Sequence, residues 1–423
     1  MGKYALDISP LRKYRELRLL FSSGMITRLG SAMTMVAMPF QMKILTNSYV
    51  AVGLMGVVQL IPLIIFGLYG GVLADAVDRK KMILFAEAAS LAMTLILFGN
   101  ALLPHPHVIL LYFVGAAFAS LNGLSGPSLG AILPRIVAHE DMAASNALMG
   151  LRWQFGAILG PSIGGLIVST AGVSTGYALD VVSYILSLIF ISLLRPVPPG
   201  AKSVPPSLAS LVDGLKYAVS RKDLLGTYLV DLSAMFFAMP VALFPFWADS
   251  LHARWALGLF YSAGTVGAML TTLTSGWMKH YPHHGRAVMF AAIGWGACIS
   301  LAGSFHSLYA ALFFLMLAGA SDEVSALFRS LIWNQSIPDE FRGRLGGIEL
   351  LSYSVGPLGG QMRSGAMAAW TNLRTSVVSG GLICIGFVLL AASALPKFRN
   401  YDVRTNEFAL LKEKSAKNSQ ENS

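Results

Sequence analysis

Apolar residues fill this chain in long blocks that recur at even intervals, with short polar connections between them. A helix needs about 20 mostly apolar residues to cross the hydrocarbon core of a bilayer. Twelve blocks reach that length, so the pattern predicts twelve membrane-spanning helices, called spans 1 to 12 below. Spans 1 to 6 cover residues 18–46, 50–74, 82–103, 107–133, 146–171 and 174–194. Spans 7 to 12 cover residues 224–248, 254–279, 286–304, 308–335, 345–370 and 374–395.

One proline-rich, charged stretch divides the spans into two sets of six. It predicts four regions: an N-terminal six-helix bundle at 1–195, a cytoplasmic linker at 196–223, a C-terminal six-helix bundle at 224–396, and a polar, disordered tail at 397–423. Within the linker, Leu208–Val219 can form a short amphipathic helix on the membrane surface. An ordinary solvated linker is the alternative.

The composition excludes a water-soluble fold. Of the 423 residues, 55% are hydrophobic and only 12% are charged, which is about half the charged fraction of a soluble globular protein. The two cysteines, Cys298 and Cys384, both lie inside predicted spans. They are therefore expected to be small apolar residues of the bundle and not part of a disulfide framework.

The net charge of +10 is explained by membrane topology. With a cytoplasmic N-terminus, 24 of the 31 Lys and Arg residues lie on the cytoplasmic side and five lie within spans. Only Arg254 and Arg374 lie outside. Positive residues accumulate in cytoplasmic connections, so both termini are predicted to be cytoplasmic, and no nucleic-acid partner is needed to explain the charge.

The two sets of spans carry a similar pattern of small residues. In span 5, Gly160, Pro161 and Gly164 follow Gly156 and precede Gly165. The first three recur 196 residues later, in span 11, as Gly356, Pro357 and Gly360. Small residues at this spacing let helices approach closely, and proline removes one backbone hydrogen bond. The pattern indicates an internal repeat, as in transporters built from two related halves.

The connection between spans 2 and 3 carries a more specific pattern. Residues 71–81 read Gly-Val-Leu-Ala-Asp-Ala-Val-Asp-Arg-Lys-Lys, which resembles motif A of the major facilitator superfamily. Ala76 and Asp78 depart from that motif. An acidic residue before Arg-Lys-Lys is similar to the branch that contains bacterial enterobactin exporters and macrolide efflux proteins.

The resemblance implies roles for four residues of this loop in stabilising a closed cytoplasmic side: Gly71, Asp75, Arg79 and Lys80. In particular, it implies contact between Asp75 and the N-terminal end of span 11. The alternative is that the basic residues only fix the topology.

The glycines from Gly156 to Gly165 resemble motif C, which this superfamily associates with exporters. The upstream glycine of that motif is replaced by Ala147, and a packing face without bearing on transport direction is the alternative. The arginine of motif B, linked in the family to proton coupling, is absent, since its place holds Ala119. The resemblance as a whole implies an all-α membrane protein of the major facilitator fold, with twelve transmembrane helices in two six-helix pseudo-repeat bundles, located in the bacterial inner membrane.

Charged residues within the spans are the candidates for substrate binding or proton coupling. A charge at the centre of a spanning helix costs about 2.5 to 3.5 kcal/mol on insertion scales and therefore needs a partner, a water-filled cavity or a task. We predict that Arg28 and Asp322 form the most informative pair, with Glu323 as a substitute and Arg329 as a second basic partner. Asp231 in span 7 is the other candidate proton carrier. An inert structural ion pair is the alternative.

Other polar residues are expected to have simpler roles. Four ionisable residues lie near predicted helix ends, where capping or snorkelling is expected: Glu87, Arg152, Asp180 and Glu349. Arg363, toward the outer end of span 11, is expected to serve an outer gate or to reach the headgroups. Span 7 carries aromatic residues that suit a bulky substrate: Phe236, Phe237, Phe244, Phe246 and Trp247. A histidine cluster is formed by His280, His283 and His284, but neither a cysteine nor a carboxylate completes a recognisable ligand set, so no metal site is predicted.

These observations lead to one functional hypothesis and two alternatives. We expect a secondary exporter that acts as a monomer without a cofactor and moves a siderophore or a hydrophobic drug by alternating access, in exchange for protons. No phosphate-binding loop or hydrolase motif occurs in the sequence, so an enzyme is not expected. An uptake symporter is the first alternative, because motif A is shared by importers and exporters. A membrane protein without transport activity is the second.

Overall fold

The computed structural model describes residues 7–197, 216–217, 219–337, 339–406 and 410. Within them it describes every side chain except those of 68, 70–76, 127–131 and 339–353. All regular structure in this part of the chain is helical. The first six long helices are α1 (Arg15–Thr46), α2 (Tyr49–Ala76), α3 (Arg79–Leu102), α4 (Val108–Ile136), α5 (Met142–Ala171) and α6 (Val173–Ser192). The others are α7 (Lys222–Ala238), α8 (Leu257–Leu273), α9 (His284–Ser304), α10 (Leu308–Ser336), α11 (Asp339–Trp370) and α12 (Leu373–Ala394).

Helices α1 to α12 correspond in order to the twelve predicted spans. Among the described residues, ten helices are both long and apolar enough to cross a membrane. Helices α1 and α11 have the length, at 32 residues each, but contain more polar residues. The chain is therefore an all-helical membrane protein, as the pattern of apolar blocks predicted.

Span 7 is interrupted, which the apolar pattern did not indicate. Helix α7 ends at Ala238, and Pro240 follows two residues later. Proline has no N–H to donate to the preceding turn, so a helix cannot continue through it without losing a bond. A short 3-10 turn at Val241–Leu243 and a second helix at Phe244–Ser250 complete the span.

The chain forms two compact units. The first comprises residues 1–205 and 244–262, and the second comprises 206–243 and 263–423. The change near residue 205 lies in the predicted linker. The inclusion of residues 244–262 in the first unit is a feature that the sequence did not indicate. The proposed surface helix at 208–219 lies almost entirely outside the described residues.

The two units repeat the same helix pairings. In the first, α1 packs on α5 and α6, and α3 packs on α4 and α6. In the second, α7 packs on α11 and α12, and α9 packs on α10 and α12. Each pairing thus recurs six helices later, which is the arrangement expected of an internal repeat.

A single residue joins α5 to α6. Gly172 has φ of 89° and ψ of 164°, a conformation that residues with a Cβ adopt only with strain. The chain can therefore reverse between Ala171 and Val173 without a longer loop.

The chain segment after α12, residues 395–406, folds back on the second unit. A short helix covers Pro396–Arg399, and the ring of Phe398 is completely buried beside Gly226 of α7. The N–H of Val403 donates a 3.2 Å hydrogen bond to the carbonyl of Pro282. We predicted a disordered tail from residue 397, but this C-terminal segment is ordered because its aromatic side chains find a buried site.

Candidate functional site

Two candidate residues of the second unit form a buried ion pair. The guanidinium of Arg329 in α10 binds the carboxylate of Asp231 in α7, and both residues are less than one tenth exposed. A buried charge needs such a partner, since desolvation without compensation is costly. The pairing joins α7 to α10 through two residues that the sequence identified separately.

The two other carboxylates on α10, those of Asp322 and Glu323, have different surroundings. Asp322 is half-buried and has no hydrogen-bond or ion-pair partner among the described residues. It lies two helical turns before Arg329 on the same face, close enough to be influenced by the charges of Arg329 and Asp231. Glu323 accepts a 2.9 Å hydrogen bond from the hydroxyl of Thr272 in α8. The α7–α10 cluster, defined as Asp231, Asp322 and Arg329, thus has two carboxylates for one guanidinium.

Arg28 belongs to the first unit and Asp322 to the second. Within the first unit, Arg28 is exposed and its guanidinium lies 5.2 Å from the ring centroid of Trp153 in α5. The pairing of Arg28 with Asp322 stays a prediction.

Arg152 lies beside Arg28 and was not a candidate in the sequence analysis. Its guanidinium donates a 3.0 Å hydrogen bond to the carbonyl of Leu20 in α1. Its position ten residues into α5 places it about 15 Å along that helix. The expectation of snorkelling for Arg152 stays a prediction. The glycine motif that begins at Gly156, one turn later, is the sequence signal that could have identified Arg152 as a candidate residue.

Asp180 is a second residue that the sequence analysis placed at a helix end. The structure buries it completely between α1, α3 and α6. Its carboxylate accepts hydrogen bonds from the hydroxyls of Thr34 at 2.5 Å, Ser183 at 3.1 Å and Thr94 at 3.5 Å. The expectation of capping or snorkelling for Asp180 is therefore wrong. A Cβ at Gly30 would collide with this group, so α1 needs glycine there to approach α6.

The motif A loop is described in part. Asp78, a departure from the family pattern, caps α3 by accepting hydrogen bonds from the N–H groups of Lys80 at 2.8 Å and Lys81 at 3.3 Å. The ammonium of Lys80 donates to the carbonyls of Ser192 at 2.7 Å and Leu194 at 2.6 Å, at the end of α6. A cation is favourable at a helix C-terminus, where free carbonyls gather.

Arg79 is buried, and its N–H donates a 3.1 Å bond to the carbonyl of Val197. The side chain of Asp75 and the surroundings of Gly71 lie outside what the structure describes. The contact of Asp75 with the start of α11, and the gating role of the loop, stay predictions.

The glycines that resemble motif C bring α5 against two neighbours. Gly156, Gly160 and Gly164 face Arg28, Ala32 and Met33 of α1, so that a Cβ on any of them would overlap these residues. Gly165 meets the backbone of Gly258, at the start of α8. The equivalent residues of α11, Gly356 and Gly360, lie against Met235 and Phe236 of α7, with Pro357 between them. Close packing of α1 on α5 thus recurs as close packing of α7 on α11.

Several aromatic residues of span 7 are core residues. Phe244, Phe246 and Trp247 are at most 7% exposed and pack on Phe260, Tyr261 and Tyr49. They cannot contact a substrate without rearrangement. Phe236 and Phe237 are half-buried and touch one another edge to face.

Two further sequence features have structural roles. The guanidinium of Arg363 in α11 donates to the carbonyl of Phe237 at the end of α7 and to that of Ser376 at 3.2 Å, so it caps the helix before the break. His283 of the histidine cluster pairs with Asp402 at 3.1 Å. No group of three metal-ligating side chains occurs among the described residues.

Comparisons with known proteins agree with this architecture. The profile of a family described as transmembrane secretion effector matches residues 5–419. The enterobactin exporter EntS of Shigella flexneri is 28% identical over 390 residues, covering 92% of this chain and 94% of that protein. The enterobactin exporter EntS of Escherichia coli O1:K1 is 29% identical over 391 residues with the same coverage.

Solved structures share the fold at low sequence identity. A mutant of the nucleoside transporter NupG superposes with a TM-score of 0.72 at 14% identity, covering 90% of this chain and 99% of that one. A bacterial homologue of the iron transporter ferroportin, in an inward-facing state, gives a TM-score of 0.71 at 15% identity, covering 91% and 98%. These two likenesses concern the fold alone.

Proposed function

Because the chain belongs to the transmembrane secretion effector family of the major facilitator superfamily, we propose that it exports a small organic molecule from the cytoplasm in exchange for protons. The observation that carries this proposal is the family match over residues 5–419. The likeness to enterobactin exporters over 92% of the chain supports export and suggests a siderophore as the cargo. A hydrophobic drug is the other cargo that the same branch suggests.

The proposed location of the protein is the bacterial inner membrane, with both termini in the cytoplasm. The proposed functional unit is a monomer. Two helical bundles would open a midplane site alternately to either side. The repeated pairings of α1 with α5 and of α7 with α11 supply two equivalent bundles for such a movement. The basic loop after α2 would hold the cytoplasmic side closed in one of the two states.

We assign proton coupling to the α7–α10 cluster. Asp231 binds the guanidinium of Arg329, whereas Asp322 has no hydrogen-bond or ion-pair partner in the part of the chain that the structure describes. The cluster therefore carries one carboxylate more than it has guanidinium groups. One proton neutralises that excess charge, and the two carboxylates must titrate as a coupled pair. A proton on Asp231 would release Arg329 toward Asp322, which lies on the same face of α10. Such an exchange links proton binding to a change in the contact between α7 and α10. Glu323, held by Thr272, is the reserve acceptor.

The proposal is tested with inverted membrane vesicles from cells that express the protein. An exporter loads such vesicles, so we expect accumulation of enterobactin or a macrolide that requires an acidic interior. A protonophore should abolish the accumulation, and so should Asp322→Asn at normal expression. Glu140→Gln is the matched control, since Glu140 is exposed and its side chain is 74% accessible.

The outcomes separate the parts of the proposal. Accumulation that survives collapse of the proton gradient would contradict proton exchange. Accumulation by right-side-out vesicles alone would contradict export and favour the uptake symporter. Wild-type transport by Asp322→Asn would remove this carboxylate from the coupling mechanism.

A further inference from the structure

Two arginines of the first unit lie side by side inside membrane-spanning helices. Arg28 is 13 residues into α1 and Arg152 is ten residues into α5, which places them about 20 Å and 15 Å along their helices. The two guanidinium groups are close enough for the charge of Arg28 to act on Arg152. Arg152 lies against Gly24 and Arg28 lies against Gly156, so the pair concentrates two positive charges within about one helical turn of each other.

Neither guanidinium has an anionic partner in the part of the chain that the structure describes. Arg28 makes no hydrogen bond or ion pair there, and Arg152 donates only to the carbonyl of Leu20. The nearby carboxylate of Glu87 accepts a hydrogen bond from Thr27 at 3.2 Å and pairs with neither arginine. Charges within membrane helices are usually paired or face a water-filled cavity that serves transport.

The helices are shaped to hold these two side chains. A Cβ at Gly24 of α1 would overlap the guanidinium of Arg152, and a Cβ at Gly156 of α5 would overlap the side chain of Arg28. Each arginine thus lies across a glycine of the opposite helix, one turn from its neighbour. This reciprocal arrangement holds the guanidinium of Arg152 and the aliphatic stem of Arg28 against the opposite helix before any ligand arrives, which lowers the ordering cost of binding.

An aromatic surface completes the arrangement. The guanidinium of Arg28 lies over the ring of Trp153, which is 54% exposed. An exposed indole beside a cation can stack on a flat ligand while the cation binds an anionic group of that ligand. The combination suits an anionic group carried on an aromatic ring.

We propose that Arg28, Arg152 and Trp153 form the subsite that binds the exported molecule, and that this molecule is an aromatic anion such as a carboxylate or phenolate. The bound anion supplies the counter-charge that the two helices lack. Guanidinium groups recognise such oxygens through paired hydrogen bonds. The inference rests on the proposed transport function for its biological meaning, but binding can be measured without transport.

The test uses the full-length protein in lipid nanodiscs and three probes. 2-Naphthoate is an aromatic anion, 2-naphthamide is its neutral analogue, and cyclohexanecarboxylate is an anion without an aromatic ring. Dissociation constants come from saturation-transfer NMR titrations. We expect naphthoate to bind the wild-type protein about tenfold more tightly than naphthamide, because a hydrogen bond to a charged group is stronger than one to a neutral group. Naphthoate should also bind more tightly than cyclohexanecarboxylate.

Four variants assign the preference to the subsite. Arg28→Gln and Arg152→Gln should each remove most of the preference for naphthoate over naphthamide, whereas Arg28→Lys should keep part of it. Trp153→Leu should weaken naphthoate but preserve the preference for charge. Arg135→Gln removes an exposed arginine at the end of α4 and should leave all three dissociation constants unchanged.

Equal affinities of the wild-type protein for naphthoate and naphthamide would overturn the proposal, and this comparison requires no variant to fold. A preference that survives in both glutamine variants would also overturn it. Charge-selective binding without vesicle transport would leave the subsite standing and contradict the exporter assignment. Proton-linked export without charge-selective binding would contradict the subsite and leave the exporter assignment standing.

Discussion

Asp180 of α6 accepts a 2.5 Å hydrogen bond from the hydroxyl of Thr34 in α1, at a point where both side chains are buried. No cation pairs with Asp180 among the described residues, so the hydroxyl groups around it provide its stabilisation. This contact joins the first and last helices of the N-terminal bundle.

Replacement of Asp180 should show that its hydrogen bonds matter more than its charge. Asp180→Asn keeps the shape and can still bond to the surrounding hydroxyls, so we expect a melting temperature in detergent close to that of the wild type. Asp180→Leu leaves those hydroxyls unpaired and should cost about 1 to 3 kcal/mol. Thermal unfolding of purified protein measures both. Equal destabilisation by the two substitutions would contradict this interpretation.

A methyl group at Gly165 should disturb the packing of α5 on the start of α8. A Cβ there would overlap the backbone of Gly258, which cannot yield as a flexible side chain can. We expect Gly165→Ala to lower the melting temperature. Gly150→Ala is a matched control on the same helix, because a Cβ at Gly150 meets nothing within 4 Å; it should be neutral or slightly stabilising. Similar effects of the two substitutions would argue against a close approach at Gly165.

The ion pairs of Asp249 should differ sharply in strength. Asp249 binds both Lys43 of α1 and Arg254, but the Lys43 side chain is 11% exposed whereas the Arg254 side chain is 65% exposed. Arg254→Gln should cost at most about 1 kcal/mol, as exposed pairs do. Asp249→Asn leaves a buried ammonium without its counter-ion and should cost about 3 to 5 kcal/mol.

The double variant Lys43→Gln with Asp249→Asn provides the check on that prediction. It removes the unpaired charge, so it should recover part of the stability lost in Asp249→Asn alone. Denaturation of the four proteins gives the coupling energy. Simple additivity of the two single substitutions would show that Lys43 and Asp249 are not coupled.

Acidification should loosen the C-terminal segment, residues 395–406. Hydrogen bonds from Arg404 hold the pKa of Asp402 well below its usual range, and His283 adds a further contact. A carboxylate with a lowered pKa stabilises the folded segment above its ordinary pKa of about 3.9, and this contribution is lost as the pH falls below that value.

A nitroxide label at position 400, in a variant that lacks Cys298 and Cys384, can report this loosening. The label should gain mobility as the pH falls from about 4 to about 2. The same label in an Asp402→Asn background should already be more mobile at pH 7 and change little with pH. A wild-type signal that is constant over this range would contradict the role given to Asp402.

The sequence predicted the twelve helices well, because the bilayer thickness imposes one length on every apolar block. It did not predict the break in span 7, although Pro240 was visible, because prolines are tolerated inside four other long helices, namely Pro39, Pro62, Pro161 and Pro357. Whether a proline interrupts a spanning helix depends on the neighbours that take up the freed carbonyls. Here Arg363 of α11 supplies that partner.

The candidate site was predicted less completely than the fold. The residues Asp231 and Arg329 were identified separately, but their pairing depends on the rotation of α7 and α10, which periodicity alone does not fix. Arg152 and Asp180 were assigned to helix ends because distance along the sequence was the only available measure of depth. Their surroundings come from other helices, so only the tertiary structure reveals them.

The glycines at the contacts of α1 with its neighbours limit how this helix can move. Gly156, Gly160 and Gly164 of α5 allow close contact with α1, and Gly30 of α1 allows close contact with α6. These contacts are too tight for a methyl group. Interiors packed so densely resist sliding and transmit displacement. A translation of α1 along its axis, or a rotation about that axis, would disrupt its contacts with both α5 and α6. The three helices should therefore move together as one rigid group.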